Sequence, residues 1–233
     1  MRFYMQNSGT NSTIKLIRYY LRTDYLMLEQ LVNQLIYIFS VTGVIVFSIS
    51  GALYAAKKGM DILGFILMGA VAGVGGGTLR DLLLDIPVFW VQDPLTIYLC
   101  IGSSAVTYFA IKLFLKRDFW IVWMDAIGLS IFAVMGTQVA LTQEAPFIVS
   151  VVMGVMSATF GGIIRDVLCA QTLMLMRPEM YISCALCSSL TYAVLYLFNV
   201  VDFFIIIAAF STGFGLRAAA IIFKLRLPQI SIN

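Results

Sequence analysis

Shifted by 85 residues, the sequence meets itself without a gap. Phe47 falls on Phe132, Gly51 on Gly136, and Met68-Gly69 on Met153-Gly154. Gly76-Gly77 falls on Gly161-Gly162, Arg80-Asp81 on Arg165-Asp166, and Ser103-Ser104 on Ser188-Ser189. A shared apolar bias aligns Leu with Val, but it does not align Gly-Gly-x-x-Arg-Asp. The chain therefore reads as a duplication, and its fold must hold two copies of one unit.

Composition says what that unit is. Of 233 residues, 61% are hydrophobic and only 12% are Asp, Glu, Lys or Arg. Soluble domains carry about 45–50% apolar and about 25% charged residues. Too few polar groups remain to cover a surface in water, so the surface faces lipid. Apolar segments occur at roughly 33–56, 61–84, 95–115, 120–141, 146–169, 180–198 and 203–223. Each is near the ~20 residues that a spanning helix needs. The expected fold is an all-α integral membrane protein of seven transmembrane helices. It divides into an N-terminal tail 1–32, a three-helix repeat 33–116, a second three-helix repeat 117–200, a seventh helix 201–223 and a C-terminal tail 224–233. Three spans per copy is an odd number, so the second copy enters the bilayer the opposite way up, as an inverted repeat.

Basic residues set the orientation. Lys57, Lys58, Lys112, Lys116, Arg117, Arg165, Arg177, Lys224 and Arg226 fall on one side of the seven-span pattern, against Arg80 and the N-terminal tail on the other. This predicts a multi-pass protein of the cell's inner (plasma) membrane, with the N-terminus outside and the C-terminus cytoplasmic. The four basic residues of the tail argue weakly the other way. Residues 1–30 are polar and show no apolar core with a small-residue cleavage site, so no signal peptide is expected. Met27, just before the first span, is an alternative start.

Much chemistry is excluded. With no histidine there is no imidazole base, Ser-His triad or imidazole metal ligand. Cys184 and Cys187 have C-x-x-C spacing, but no second pair completes a metal site. No phosphate-binding G-x-x-x-x-G-K-[ST] loop is present, and a net charge of +3 gives no nucleic-acid signal. The reading is of no catalytic residue, no metal and no cofactor.

The glycines Gly75, Gly76, Gly77, Gly161 and Gly162 weaken the second and fifth spans at matching places. Matched interruptions in two inverted halves point to a conduction or binding site. One reading makes them hinges of a pore. The other makes them close packing of small residues, which the Gly69-x-x-x-Gly73 spacing suits. Beside them stand the charges Arg80, Asp81, Arg165 and Asp166, with Asp125 early in the fourth span. Arg80 lies 19 positions after Asp61, roughly 28 Å along a straight helix. It either snorkels at the far interface or turns inward to a partner. Consecutive helix positions do not face each other, so Asp166 or Asp125 is the expected partner rather than Asp81. Asp125 matches Ser40, so the symmetry of charge is broken there. Ser48, Ser50, Thr78 and Ser130 offer hydroxyls to a wet path. Arg217 lies inside the seventh span between Gly213-Gly215 and the C-terminus, beside a suspected second break, and has no assigned role.

The stretches "SGALYAAKKGMDILG", "GGGTLRD", "FWVQDP", "DAIGLSIFAVMGTQVAL" and "GGIIRDVLC" resemble prokaryotic trimeric intracellular cation channels, overlapping bacterial glycine-transporter-like proteins. The resemblance covers about residues 35–223. It implies a homotrimer with a pore in each protomer between the kinked second and fifth spans, and monovalent cation flux, chiefly potassium. The Lys-Glu-Val motif of the eukaryotic members is missing, so lipid control is not carried over. The expected function is a potassium channel in the lipid bilayer. The alternative is a carrier of glycine or a similar small zwitterion, whose carboxylate would meet Arg80 or Arg165. An enzyme is not expected.

Overall fold

The computed structural model describes residues 8–114, 117–170, 174 and 180–226. Lys116 and Arg177-Pro178-Glu179, used above for orientation and boundaries, lie outside the described residues, as do the ends of both tails. The described elements are α1 (Ser8–Lys57), α2 (Ile62–Leu83), α3 (Phe89–Gln92), α4 (Leu95–Phe109), a 3-10 turn (Ile111–Leu113), α5 (Arg117–Thr142), α6 (Phe147–Leu168), α7 (Ile182–Leu197) and α8 (Asp202–Phe223). Residues up to Ile38 and residues from Phe39 onward form two compact units. The tail expected before residue 33 is helical from Ser8. Every interaction below belongs to the second unit.

Among the described residues, five segments are long and apolar enough to cross a membrane: Gln34–Lys57, Ile62–Leu83, Asp118–Thr142, Phe147–Leu168 and Asp202–Phe223. The segments expected at 95–115 and 180–198 are helices of 15 and 16 residues. Each is about 22–24 Å long, short of the ~30 Å hydrocarbon core. The α4 segment ends early because the chain tightens at Ala110 into the 3-10 turn.

Local chemistry sets the ends. Asp61 starts α2 by accepting from the Gly64 N–H at 2.9 Å, which satisfies one orphan donor of the first turn. Helices stop where one residue turns left-handed. Gly59 (φ 67) and Glu144 (φ 56) do so after α1 and α5, and Asp85 (φ 54) and Ala170 (φ 45) after α2 and α6. The members of each pair stand 85 positions apart.

The packing is inverted relative to a water-soluble protein. Leu63, Tyr98, Val106, Phe109, Ile148, Leu197 and Phe223 point outward. Among the described residues, the two bulkiest fully buried side chains are arginines, Arg165 and Arg217. In water that arrangement is strongly unfavourable; in a bilayer it puts apolar surface on lipid and polar groups on one another. Helix α6 packs against both α2 and α5, with α4 against α2 and α7 against α5, α6 and α8.

Candidate functional site

The site is built where α2 crosses α6. A methyl group at Gly76 would overlap the carbonyl oxygen of Ser157 on α6. One at Gly161 would stand 2.5 Å from the carbonyl oxygen of Ala72 on α2. Ala72 and Ser157 are themselves 85 apart, so each helix turns its glycine onto the equivalent carbonyl of the other. Phe47 and Phe132, also equivalent, stack on each other at 5.3 Å.

Both helices run unbroken through their glycines. The interruption expected from sequence is absent here, for a physical reason. The helix-propensity cost of glycine, about 1 kcal/mol each, is offset by backbone-to-backbone contact that no larger residue permits. Gly77 serves a different contact, since Phe89 lies against it at 2.5 Å from a notional methyl. Gly75 has room as far as Ile164 at 3.2 Å, and Gly162 faces the Tyr181 hydroxyl at 3.0 Å. The break suspected at Gly213 and Gly215 is likewise absent, α8 being continuous.

The charges lie at the C-terminal ends of α2 and α6. Arg80 donates from Nε to Asp81 Oδ1 at 2.8 Å, and Arg165 donates from Nε to Asp166 Oδ1 at 3.0 Å. This corrects the expectation that neighbours on a helix cannot pair. The arginine side chain is long enough to curl round the turn. The aspartate is aimed by a second bond: Asp81 Oδ2 accepts from the Phe89 N–H at 2.9 Å, and Asp166 Oδ2 from the Met174 N–H at 2.9 Å. Phe89 and Met174 are again 85 apart. The cross-pairing of Arg80 with Asp125 or Asp166 does not occur: both carboxylates serve Arg165.

Beyond this shared core the two ends differ. Arg165 also donates from Nη1 to Asp125 Oδ1 at 2.9 Å and to Ser50 Oγ at 2.8 Å. Its guanidinium lies 4.3 Å from the centre of the Tyr54 ring, and Nη2 points to Met174 Sδ at 3.7 Å. Among the described residues, Arg80 adds only the Phe89 ring at 5.8 Å. Neither arginine snorkels; Arg80 is 6% exposed and Arg165 0%. Asp125 Oδ2, Tyr181 Oη and Ser157 Oγ are buried without a hydrogen-bond partner among the described residues, and such groups call for water.

The four hydroxyls are all engaged. Ser48 bonds to the Cys100 carbonyl at 3.1 Å and to Ser104 at 2.9 Å. Ser50 receives Arg165. Thr78 donates to the Val74 carbonyl at 2.7 Å and accepts from Trp90 Nε1 at 2.8 Å. Ser130 donates to the Ala126 carbonyl at 2.9 Å. Sequence reasoning did not single out Tyr54, Tyr181, Phe89 or Trp90. Arg217, left without a role, donates to the Met180 carbonyl at 3.1 Å and lies 5.2 Å from the Tyr181 ring.

Comparison with known proteins decides the family. The glycine transporter family profile matches residues 37–112 and again 122–197. The solved trimeric intracellular cation channel orthologue from Rhodobacter sphaeroides is 40% identical, with a TM-score of 0.80, over 82% of this chain and 99% of that one. The chain belongs to the trimeric intracellular cation channel family. A second prokaryotic channel of the family, solved in 0.5 M KCl, is 29% identical with a TM-score of 0.78, over 84% of this chain and all of that one. Among curated family members, the inner membrane protein YadS of Escherichia coli is 35% identical over 85% of this chain and 98% of its own length.

Proposed function

We propose that this family member is a homotrimeric cation channel of the inner membrane, passing potassium through a pore in each protomer between α2 and α6. The observation that carries the reading is the 40% identity and 0.80 TM-score over nearly the whole of a solved trimeric cation channel. The α2–α6 crossing suits a pore. Buried polar atoms that need water, Ser157 Oγ and Asp125 Oδ2, are on α6 and its neighbour α5. Irregular or bending backbone is tolerated at membrane depth where water reaches it. The unbroken helices are assigned to a closed state, and bending at Gly75–Gly77 and Gly161–Gly162 to opening.

The architecture proposed is two inverted three-helix repeats, α1, α2 and α4 against α5, α6 and α7, followed by α8. Two ends of the family match displaced by the same 85 residues support the duplication. So do equivalent residues that touch each other, Phe47 with Phe132 and Gly76 with Gly161, because only residues beside a two-fold axis meet their own counterparts. With α4 and α7 crossing as short helices, the chain spans seven times. The basic side with Lys57, Lys58 and Lys224 is cytoplasmic.

Planar bilayers containing the purified protein test the function. Discrete current steps that reverse at the potassium potential are expected. Silent bilayers together with saturable glycine exchange in liposomes would establish the carrier instead. The solved structures favour the channel over the carrier.

A further inference from the structure

We propose that the two arginine–aspartate motifs have different jobs in the channel: Arg165 is a fixed strut, and Arg80 is the moving gate, an internal counter-cation whose departure from Asp81 uncovers a carboxylate for a monovalent cation. The inference rests on the channel reading above and assigns the gating charge within it.

The reasons lie in what each guanidinium must break to move. Arg165 would lose bonds to Asp166, Asp125 and Ser50, and its place over Tyr54. Those partners sit on α6, α5 and α1, so the side chain ties three helices together. Arg80 would lose the pairing with Asp81 on its own helix, with Nε and Nη2 both on Oδ1, and the looser contact with Phe89. The repeat explains the contrast. The positions 85 from Asp125, Ser50 and Tyr54 are Ser40, Met135 and Val139. None of these carries a charge, so the first half has no counterpart of the cage.

Asp81 stays in place when Arg80 leaves, because its other oxygen is held by the Phe89 N–H at 2.9 Å. Trp90, bonded through Nε1 to Thr78 at 2.8 Å, fastens the same short helix α3 to the end of α2. A buried carboxylate held by backbone and stripped of its arginine attracts a cation strongly in a low-dielectric site. With Arg80 in place the motif is neutral and occupied. With Arg80 swung away the permeant ion takes over the arginine's charge.

The test uses full-length protein in planar bilayers under a potassium chloride gradient, with melting curves on the same preparations. Arg80→Gln is expected to raise open probability several-fold and to keep a cation-selective reversal potential. Arg80→Lys should return gating toward that of the parent. Adding Asp81→Asn to Arg80→Gln should move the reversal potential toward zero. Arg165→Gln should instead lower the melting temperature and the yield of assembled protein. A conducting parent whose Arg80→Gln variant gates identically overturns the inference and leaves the channel standing. An Arg80→Gln variant that melts as low as Arg165→Gln also overturns it, because Arg80 is then a strut too. A silent parent that exchanges glycine removes the channel reading, and the gate with it.

Discussion

The Arg80 and Arg165 ends of the molecule share a sequence motif, a curled arginine, and an aspartate aimed by a backbone N–H eight residues on. They differ in everything contributed from other helices. At Arg165, α5 supplies Asp125 and α1 supplies Ser50 and Tyr54. At Arg80, the other long helices supply no hydrogen bond among the described residues, and the motif is completed by the short α3. The local chemistry is present at both ends, while the long-range partners are present at one. The same local motif therefore stands in two different surroundings: caged by other helices at Arg165, and closed by the next short helix at Arg80.

Arg165→Met is expected to break the comparison most severely. It leaves Asp125 and Asp166 buried without their cation, a loss of about 3–5 kcal/mol, visible as failed assembly or a collapsed melting temperature in detergent. Asp125→Ser makes the second end resemble the first, since Ser40 is the matching residue. Removing that charge-assisted bond should cost about 1.5–3 kcal/mol, so the variant should fold, melt lower and gate more freely. At the crossing, Gly76→Ala and Gly161→Ala each push a methyl into the opposite backbone. Overpacking of this kind costs about 1–3 kcal/mol. The two changes should be non-additive, because they press on one contact. Gly75→Ala, with only the tip of Ile164 to displace, should be milder, and a melt as low as that of Gly76→Ala would show that the crossing is misplaced. The exposed ion pair of Lys57 with Asp118 should matter by about 0.2–1 kcal/mol and fade with salt. Smallest is Gly102→Ala. Its methyl meets open space in a helix, so stability should hold or rise slightly, by up to about 1 kcal/mol.

Local and periodic features were legible in the sequence. The apolar segments, the glycine positions and the two charged motifs follow from residue type and spacing alone, and the duplication follows from their register. The shortness of α4 was not legible, because apolar composition runs on through Ile111 and Leu113 after the helix has tightened. Nor was the continuity of α2 and α6. Three glycines in a row disfavour an isolated helix, and only the neighbouring carbonyl reveals why they are kept. The pairing of Arg80 with Asp81 was misjudged because spacing rules describe where side chains leave a helix, not how far an arginine reaches. Asp125 was recognised as the break in charge symmetry. Its partner was not, since Arg165 lies 40 positions away on another helix.

The cage around Arg165 also fixes an order of manufacture. Chains are made and begin to fold from the N-terminus. The partners of Arg80 lie on its own helix or within the next nine residues, so α2 can enter the bilayer as an already neutralised unit. The partners of Arg165 on other helices, Ser50, Tyr54 and Asp125, all precede it in the chain. When α6 emerges, the site that accepts its arginine has already been synthesised. A chain permuted to begin at α5 would present the same arginine before α1 exists, and would have to hold a half-built cage open in lipid until the rest arrived.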